Sequence, residues 1–177
     1  MRWSEVDGTE WTLPAERTKN HRAHVVHLSE PAVAIVEARR AEQAAIGLQT
    51  PFVFTSATPD DPARGARKRP RGPFSGFSKS KSRLDVRADL AEPWRLHDLR
   101  RSFVTHCADR LRIAPHVIEA TVNHVSGTKA GVAGVYNRAE YLEERRAALD
   151  AWAAYLLRCV GEVAADNVVE LTREAGR

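Results

Sequence analysis

Three short runs of this chain carry side chains able to act on a phosphodiester: His97-Asp98-Leu99-Arg100, Asn123-His124 and Tyr136-Asn137-Arg138. A guanidinium can bind two phosphate oxygens at once, which suits a transition state that gathers negative charge on them. An imidazole donates to the same oxygens or moves a proton near neutral pH. A phenol can attack phosphorus, but with a pKa near ~10 it needs cations close by to favour its phenolate. His97 and Arg100 stand three apart at the start of a helical pattern, so both project from one side of it. Together these residue types point to DNA strand breakage through a phosphotyrosine. Taken singly, each has an ordinary reading: a helix cap with a surface arginine, a cap or core histidine, a packed tyrosine. Tyr141 is a rival phenol on the final helix, whereas Gly127, Gly131 and Gly134 precede Tyr136 and permit a segment that can present it.

The elements that must hold these groups are legible from local pattern. Trp11-Thr12-Leu13 and His24-Val25-Val26-His27-Leu28 are β-prone runs separated by a polar stretch, which predicts a β-hairpin. Ser29-Glu30-Pro31 opens a helix with a cap residue, an acidic first turn and proline where its missing N–H matters least, and Gly47 ends it. Phe52-Val53-Phe54 is a short buried strand or extended segment. Residues 56–73 read as a loop, followed by a helix from about Gly76 to Leu84. Leu99, Phe103, Cys107 and Leu111 recur every four residues, marking an amphipathic helix that opens near His97, with Leu99 and Phe103 toward the core. Pro115 starts another helix that stops around Asn123-His124. The last helix is expected from about Glu140 to Val163, with Leu142, Leu149, Leu156 and Val163 seven apart and Trp152 and Cys159 between them. The fold class expected is α+β, mainly helical, with a small N-terminal antiparallel sheet.

At 177 residues with 43% apolar content, the chain can bury one sizeable core. Its net charge of +4 favours a polyanionic partner only mildly, but the charge is unevenly spread. Between Asp61 and Asp85 there is no acidic residue, while Arg64, Arg67, Lys68, Arg69, Arg71, Lys79, Lys81 and Arg83 all fall there. That stretch is either a solvated surface or a set of phosphate contacts. Cys107 and Cys159 lie in apolar helical patterns and read as reduced core residues. No apolar run reaches transmembrane length and the N-terminus has no signal-like segment, so a cytoplasmic location is expected. His21, His24 and His27 are spaced by three, which alternates faces on a strand, so no metal site is expected.

The runs Leu96-His97-Asp98-Leu99-Arg100-Arg101-Ser102-Phe103, Val122-Asn123-His124-Val125-Ser126-Gly127 and Gly134-Val135-Tyr136-Asn137-Arg138 resemble, as an ordered set, the tyrosine recombinases. They look closest to the integrases of phages and genomic islands, over about Met1 to Leu157. The resemblance implies a nucleophilic Tyr136, with His97, Arg100 and His124 around the scissile phosphate. It also implies that Lys19, in the hairpin segment Glu16-Arg17-Thr18-Lys19-Asn20, is the general acid. Attack would leave a 3′-phosphotyrosyl link and a free 5′-hydroxyl, and the retained bond energy would allow rejoining without metal or nucleotide cofactor. Implied partners are double-stranded DNA, further copies of the chain docked through the final helix, and an accessory directionality factor.

The chain is expected to depart from the family in two ways, lacking the first catalytic arginine and the preceding helical domain that clamps the other face of DNA. Tyrosine recombinases carry a first catalytic arginine in a helix just before the segment that matches Met1-Arg2-Trp3-Ser4-Glu5-Val6-Asp7, and Arg2 sits too near the first strand to replace it. The expectation is therefore a truncated chain, with residues 1–163 a partial catalytic domain and 164–177 a tail, weakly active or inactive. Two alternatives stay open: a non-catalytic DNA-binding or dimerisation module, and a type IB topoisomerase.

Overall fold

The computed structural model describes residues 1–55, 72–90, 92–124 and 140–161. Tyr136, the basic residues Arg64, Arg67, Lys68, Arg69 and Arg71, the three glycines before Tyr136, and the boundary at Val163 lie outside them.

Among the described residues the chain is mainly helical, with one small sheet. Strands β1 (Val6–Asp7), β2 (Glu10–Leu13) and β3 (His24–His27) pair antiparallel in the order β1-β2-β3, with Trp11 opposite both Val6 and Val26. The expected hairpin is β2–β3; the two-residue β1 was too short to show an alternating pattern. Five α-helices follow: α1 (Glu30–Ala45), α2 (Phe77–Ala88), α3 (Leu96–Asp109), α4 (Pro115–Thr121) and α5 (Leu142–Cys159).

Their ends obey local rules, with one exception. Ser29 stands at the N-cap of α1, but its side chain caps nothing; its carbonyl takes the Val33 N–H at 2.9 Å instead. At the other end Gly47 adopts φ 62°, and the N–H groups of Gly47 and Leu48 return to the Ala44 and Gln43 carbonyls at 3.0 and 2.8 Å. That arrangement satisfies carbonyls the helix would otherwise leave open.

Two apolar clusters hold the molecule. Leu28, Val36 and Val53 are buried with Trp3, Val6, Trp11 and Val33 around them, joining the sheet to α1. Gln43 is buried beside this cluster and fully used: it accepts from Trp3 Nε1 at 3.1 Å and donates to the Phe52 and Val53 carbonyls at 3.1 and 2.9 Å. The second cluster packs α3 on α4 and α5 through Phe103, Cys107 and Ile118, with Leu111, Val122, Leu149 and Trp152 at its edge. The Trp152 ring meets Phe103 edge-on, with centroids 5.4 Å apart.

Two expectations about burial fail here. Leu99 is 61% exposed although Phe103 and Cys107 are buried. A four-residue repeat drifts about 40° per step around a helix, so the first leucine of the series falls off the packed face. Cys159 is exposed, because it lies in the last turn of α5 beyond the contact with α3 and α4. Among the described residues of the α5 seam, Leu149 is packed, while Leu142 and Leu156 are 49% and 42% exposed. The face of α5 that meets the body runs instead through Arg145, Ala148, Leu149 and Trp152, the ordinary i, i+3, i+4, i+7 stripe.

Candidate active site

The residues singled out on α3 and after α4 meet. His97, Arg100 and His124 line one cleft of about 470 Å³, together with Arg101, Val104, Thr105, Ile118, Glu119 and Val122. His97, Arg100 and His124 are all exposed, so this wall of the cleft is open to solvent while Phe103 anchors the far side of α3 in the core. Asp98 is the residue that starts α3. Its Oδ2 accepts the Arg95 N–H at 2.9 Å, a bond that holds the carboxyl below its ordinary range.

Arg101 enters the same cleft, although it stands about 100° round the helix from Arg100. Measured from His97, Arg100 lies about 60° to one side and Arg101 about 40° to the other, with Val104 and Thr105 further along the same face. The i, i+4 spacing from His97 was the signal to follow. Arg101 is also the better screened of the two, since its Nη1 lies 3.3 Å from Asp98 Oδ1 with the side chain 75% exposed.

His124 reaches the cleft through the way α4 ends. Asn123 takes a left-handed conformation, φ 53°. The N–H groups of Asn123 and His124 then bond the Ala120 and Glu119 carbonyls at 3.2 and 2.9 Å. Asparagine is one of the few residues besides glycine that enters this region readily, and the resulting cap fixes where the next residue points.

Lys19 is exposed and does not line the cleft. It sits in a heavily bonded turn from Thr18 to Arg22. The buried Thr18 Oγ1 donates toward the Arg22 carbonyl at 2.7 Å and accepts the Arg22 N–H at 3.1 Å. The preceding Arg17 is salt-bridged to Glu5. Burial works to raise the Glu5 carboxyl, yet bonds from Arg17, the Arg2 N–H and Trp11 outweigh it and hold the carboxyl below the ordinary range. Arg2 itself lies over the Phe52 ring, 5.7 Å from its centroid.

The three described members of the basic stretch lie on α2 and differ. Lys79 and Arg83 are exposed. Lys81 is engaged, 2.8 Å from Asp85 and 5.0 Å above the Trp94 ring. His24 and His27 are likewise committed to protein partners, at the Thr121 carbonyl and Asp150 respectively. Among the described residues no group of three His, Cys, Asp or Glu side chains gathers to hold a metal ion. No described helix is long and apolar enough to cross a membrane.

A cleft with two guanidiniums and two imidazoles on its rim suits an anion carried on a larger molecule. The family comparison agrees with that chemistry. Residues 1–141 match the model of the phage integrase family. The chain is 34% identical to prophage integrase IntA of Escherichia coli (strain K12) over 154 residues, which is 86% of this chain and 33% of that protein. It is 30% identical to prophage integrase IntZ of the same strain over 151 residues, 85% of this chain and 33% of that one. The chain thus spans about a third of the length of these relatives. No solved structure matches it significantly. With the matched region running from the β-sheet through the cleft to the start of α5, the chain belongs to the phage integrase family.

Proposed function

We propose that this chain carries the catalytic centre of a tyrosine recombinase, which breaks and rejoins double-stranded DNA through a 3′-phosphotyrosyl intermediate. The observation that supports the reading is the convergence of His97 and Arg100, from α3, and His124, from the turn that ends α4, on a single open cleft.

In this chemistry the Tyr136 oxygen forms a bond to phosphorus as the bond to the 5′ oxygen breaks. Arg100, His97 and His124 bind the non-bridging oxygens and stabilise the added charge. Lys19 gives a proton to the departing 5′ oxygen, and a second 5′-hydroxyl later reverses the step on another strand. Tyr141 is committed elsewhere, which favours Tyr136 as the nucleophile: it caps α5 at φ 51° and its ring lies 4.8 Å from that of His116. Lys79 and Arg83, with the basic residues before them, contact the DNA backbone. Copies of the chain assemble on DNA through the exposed Leu156 of α5 and Val160 at its C-cap, and an accessory factor sets direction.

The test is covalent trapping. The chain is incubated with a pool of nicked duplexes of randomised centre, and the protein is recovered under denaturing conditions with its attached DNA sequenced. The reading expects an adduct with a defined sequence that is absent in Tyr136→Phe and retained in Tyr141→Phe. Salt-sensitive DNA binding with no adduct would favour the non-catalytic module instead.

A further inference from the structure

We propose that Asn20 and Asn123 are positioning residues that hold the turn bearing Lys19 in register with His124; the inference rests on the recombinase reading above. The Asn20 Nδ2 donates to Asn123 Oδ1 at 2.7 Å, across 103 positions of sequence. Both ends of that bond are themselves oriented. Asn20 Oδ1 accepts the Arg22 N–H at 3.3 Å, which fixes the amide so that its nitrogen faces Asn123. Asn123 is held by the cap of α4, and the next residue is His124 on the cleft.

The hairpin is clasped to the end of α4 at a second point, where His24 Nε2 meets the Thr121 carbonyl at 3.2 Å. His24 secures the base of the hairpin, and Asn20 secures its tip beside Lys19. A glycine at position 123 would serve the cap as well, since it enters the left-handed region freely. Among the described residues, the asparagine side chain adds the bond to Asn20. The pair therefore links a general acid to a phosphate-binding imidazole, so that the proton donor arrives at the 5′ oxygen when the phosphate is bound.

The test uses the duplex recovered by trapping, made with either oxygen or sulfur at the bridging 5′ position. A thiolate leaves without a proton, so cleavage of the sulfur duplex does not need the acid. Single-turnover cleavage is compared for the unaltered chain, Lys19→Ala, Asn20→Ala, Asn123→Gly and the Asn20→Ala/Asn123→Gly double variant. Asn20→Ala and Asn123→Gly should each slow the oxygen duplex by about tenfold or more, a share of the ~10²–10⁴-fold general acid contribution. The double variant should be no slower than either single one, because both changes remove one bond. All of these defects should largely vanish on the sulfur duplex, as for Lys19→Ala. Asn20→Ala at the unaltered rate on oxygen, or slow on both duplexes while Lys19→Ala is rescued, overturns the proposal. If Lys19→Ala itself is not rescued, or the unaltered chain forms no adduct, the reading beneath it is wrong and the proposal falls with it.

Discussion

His24 and Arg145 share a half-buried contact that decides the protonation state of the histidine. The His24 ring lies 3.2 Å from the Thr121 carbonyl through Nε2, and Arg145 Nη2 stands 3.5 Å from both ring nitrogens. The carbonyl can only accept, so Nε2 carries the proton and Nδ1 is left as the acceptor nitrogen beside a guanidinium that can only donate. Arg145 also donates to the Val25 carbonyl and, at 3.3 Å, to the Glu140 carbonyl, tying β3 to the start of α5. A second proton on His24 would face a guanidinium. Burial lowers its pKa from the ordinary 6.5 and Arg145 pushes the same way, against the opposing pull of the Thr121 carbonyl and Glu140.

That shift makes the fold sensitive to acid. As pH falls below about 6.5, an unfolded chain protonates His24 while the folded one resists, so stability drops until the lower folded value is passed. Urea unfolding followed from about pH 7.5 to about pH 5.5 should show a steeper loss for the unaltered chain than for His24→Gln, whose amide can make both bonds uncharged. Equal slopes would remove His24 from the explanation.

Arg100 and Arg101 should separate cleanly on the proposed chemistry. Arg100→Ala is expected to slow adduct formation by ~10²–10³-fold, the usual effect of removing one donor to a developing oxyanion. Arg100→Lys should recover little, because an ammonium cannot span two phosphate oxygens. Arg101→Ala should instead weaken DNA binding and flatten the logarithmic salt dependence by about 0.9, the loss of one phosphate contact. Its rate at saturating DNA should stay near that of the unaltered chain; a rate collapse matching Arg100→Ala would reverse the assignment.

The two thiols should differ in reactivity. Burial pushes the Cys107 thiol up to about 11, and its side chain is wholly enclosed, whereas Cys159 is exposed. A disulfide reagent at about pH 8 should therefore modify one thiol in the folded chain and both after unfolding in urea. Cys159→Ser should leave no fast-reacting thiol. A fast second thiol would mean that the α3–α5 core opens far more readily than its packing implies.

Phe103 anchors the far side of the helix that bears His97 and Arg100. Phe103→Ala should destabilise the fold by about 3–5 kcal/mol, read from urea unfolding by the fluorescence of its tryptophans, because it removes a buried ring and its edge contact with Trp152. Leu99→Ala, one turn earlier and 61% exposed, should cost far less. Comparable losses would place Leu99 back in the core.

How much of this could be read without coordinates follows from the range of each interaction. Proline at the second position of α1 and the first of α4, the glycine after α1, and the β-prone valines of β3 act within a few residues, so sequence alone located these elements and the mainly helical class. The types and order of His97, Arg100, His124 and Tyr136 likewise led to the chemistry proposed here, because a guanidinium, an imidazole and a phenol carry their reactivity wherever they stand. Only the tertiary structure decided which faces were used. Leu99, Leu142 and Leu156 fit apolar repeats yet lie exposed, since a repeat records spacing and not where the neighbouring helix stops. The entry of Arg101 into the cleft and the bond from Asn20 to Asn123 depend on α3, α4 and the hairpin meeting at particular angles. Those angles come from side chains fitting across 20 to more than 100 residues of chain, and no local pattern encodes them.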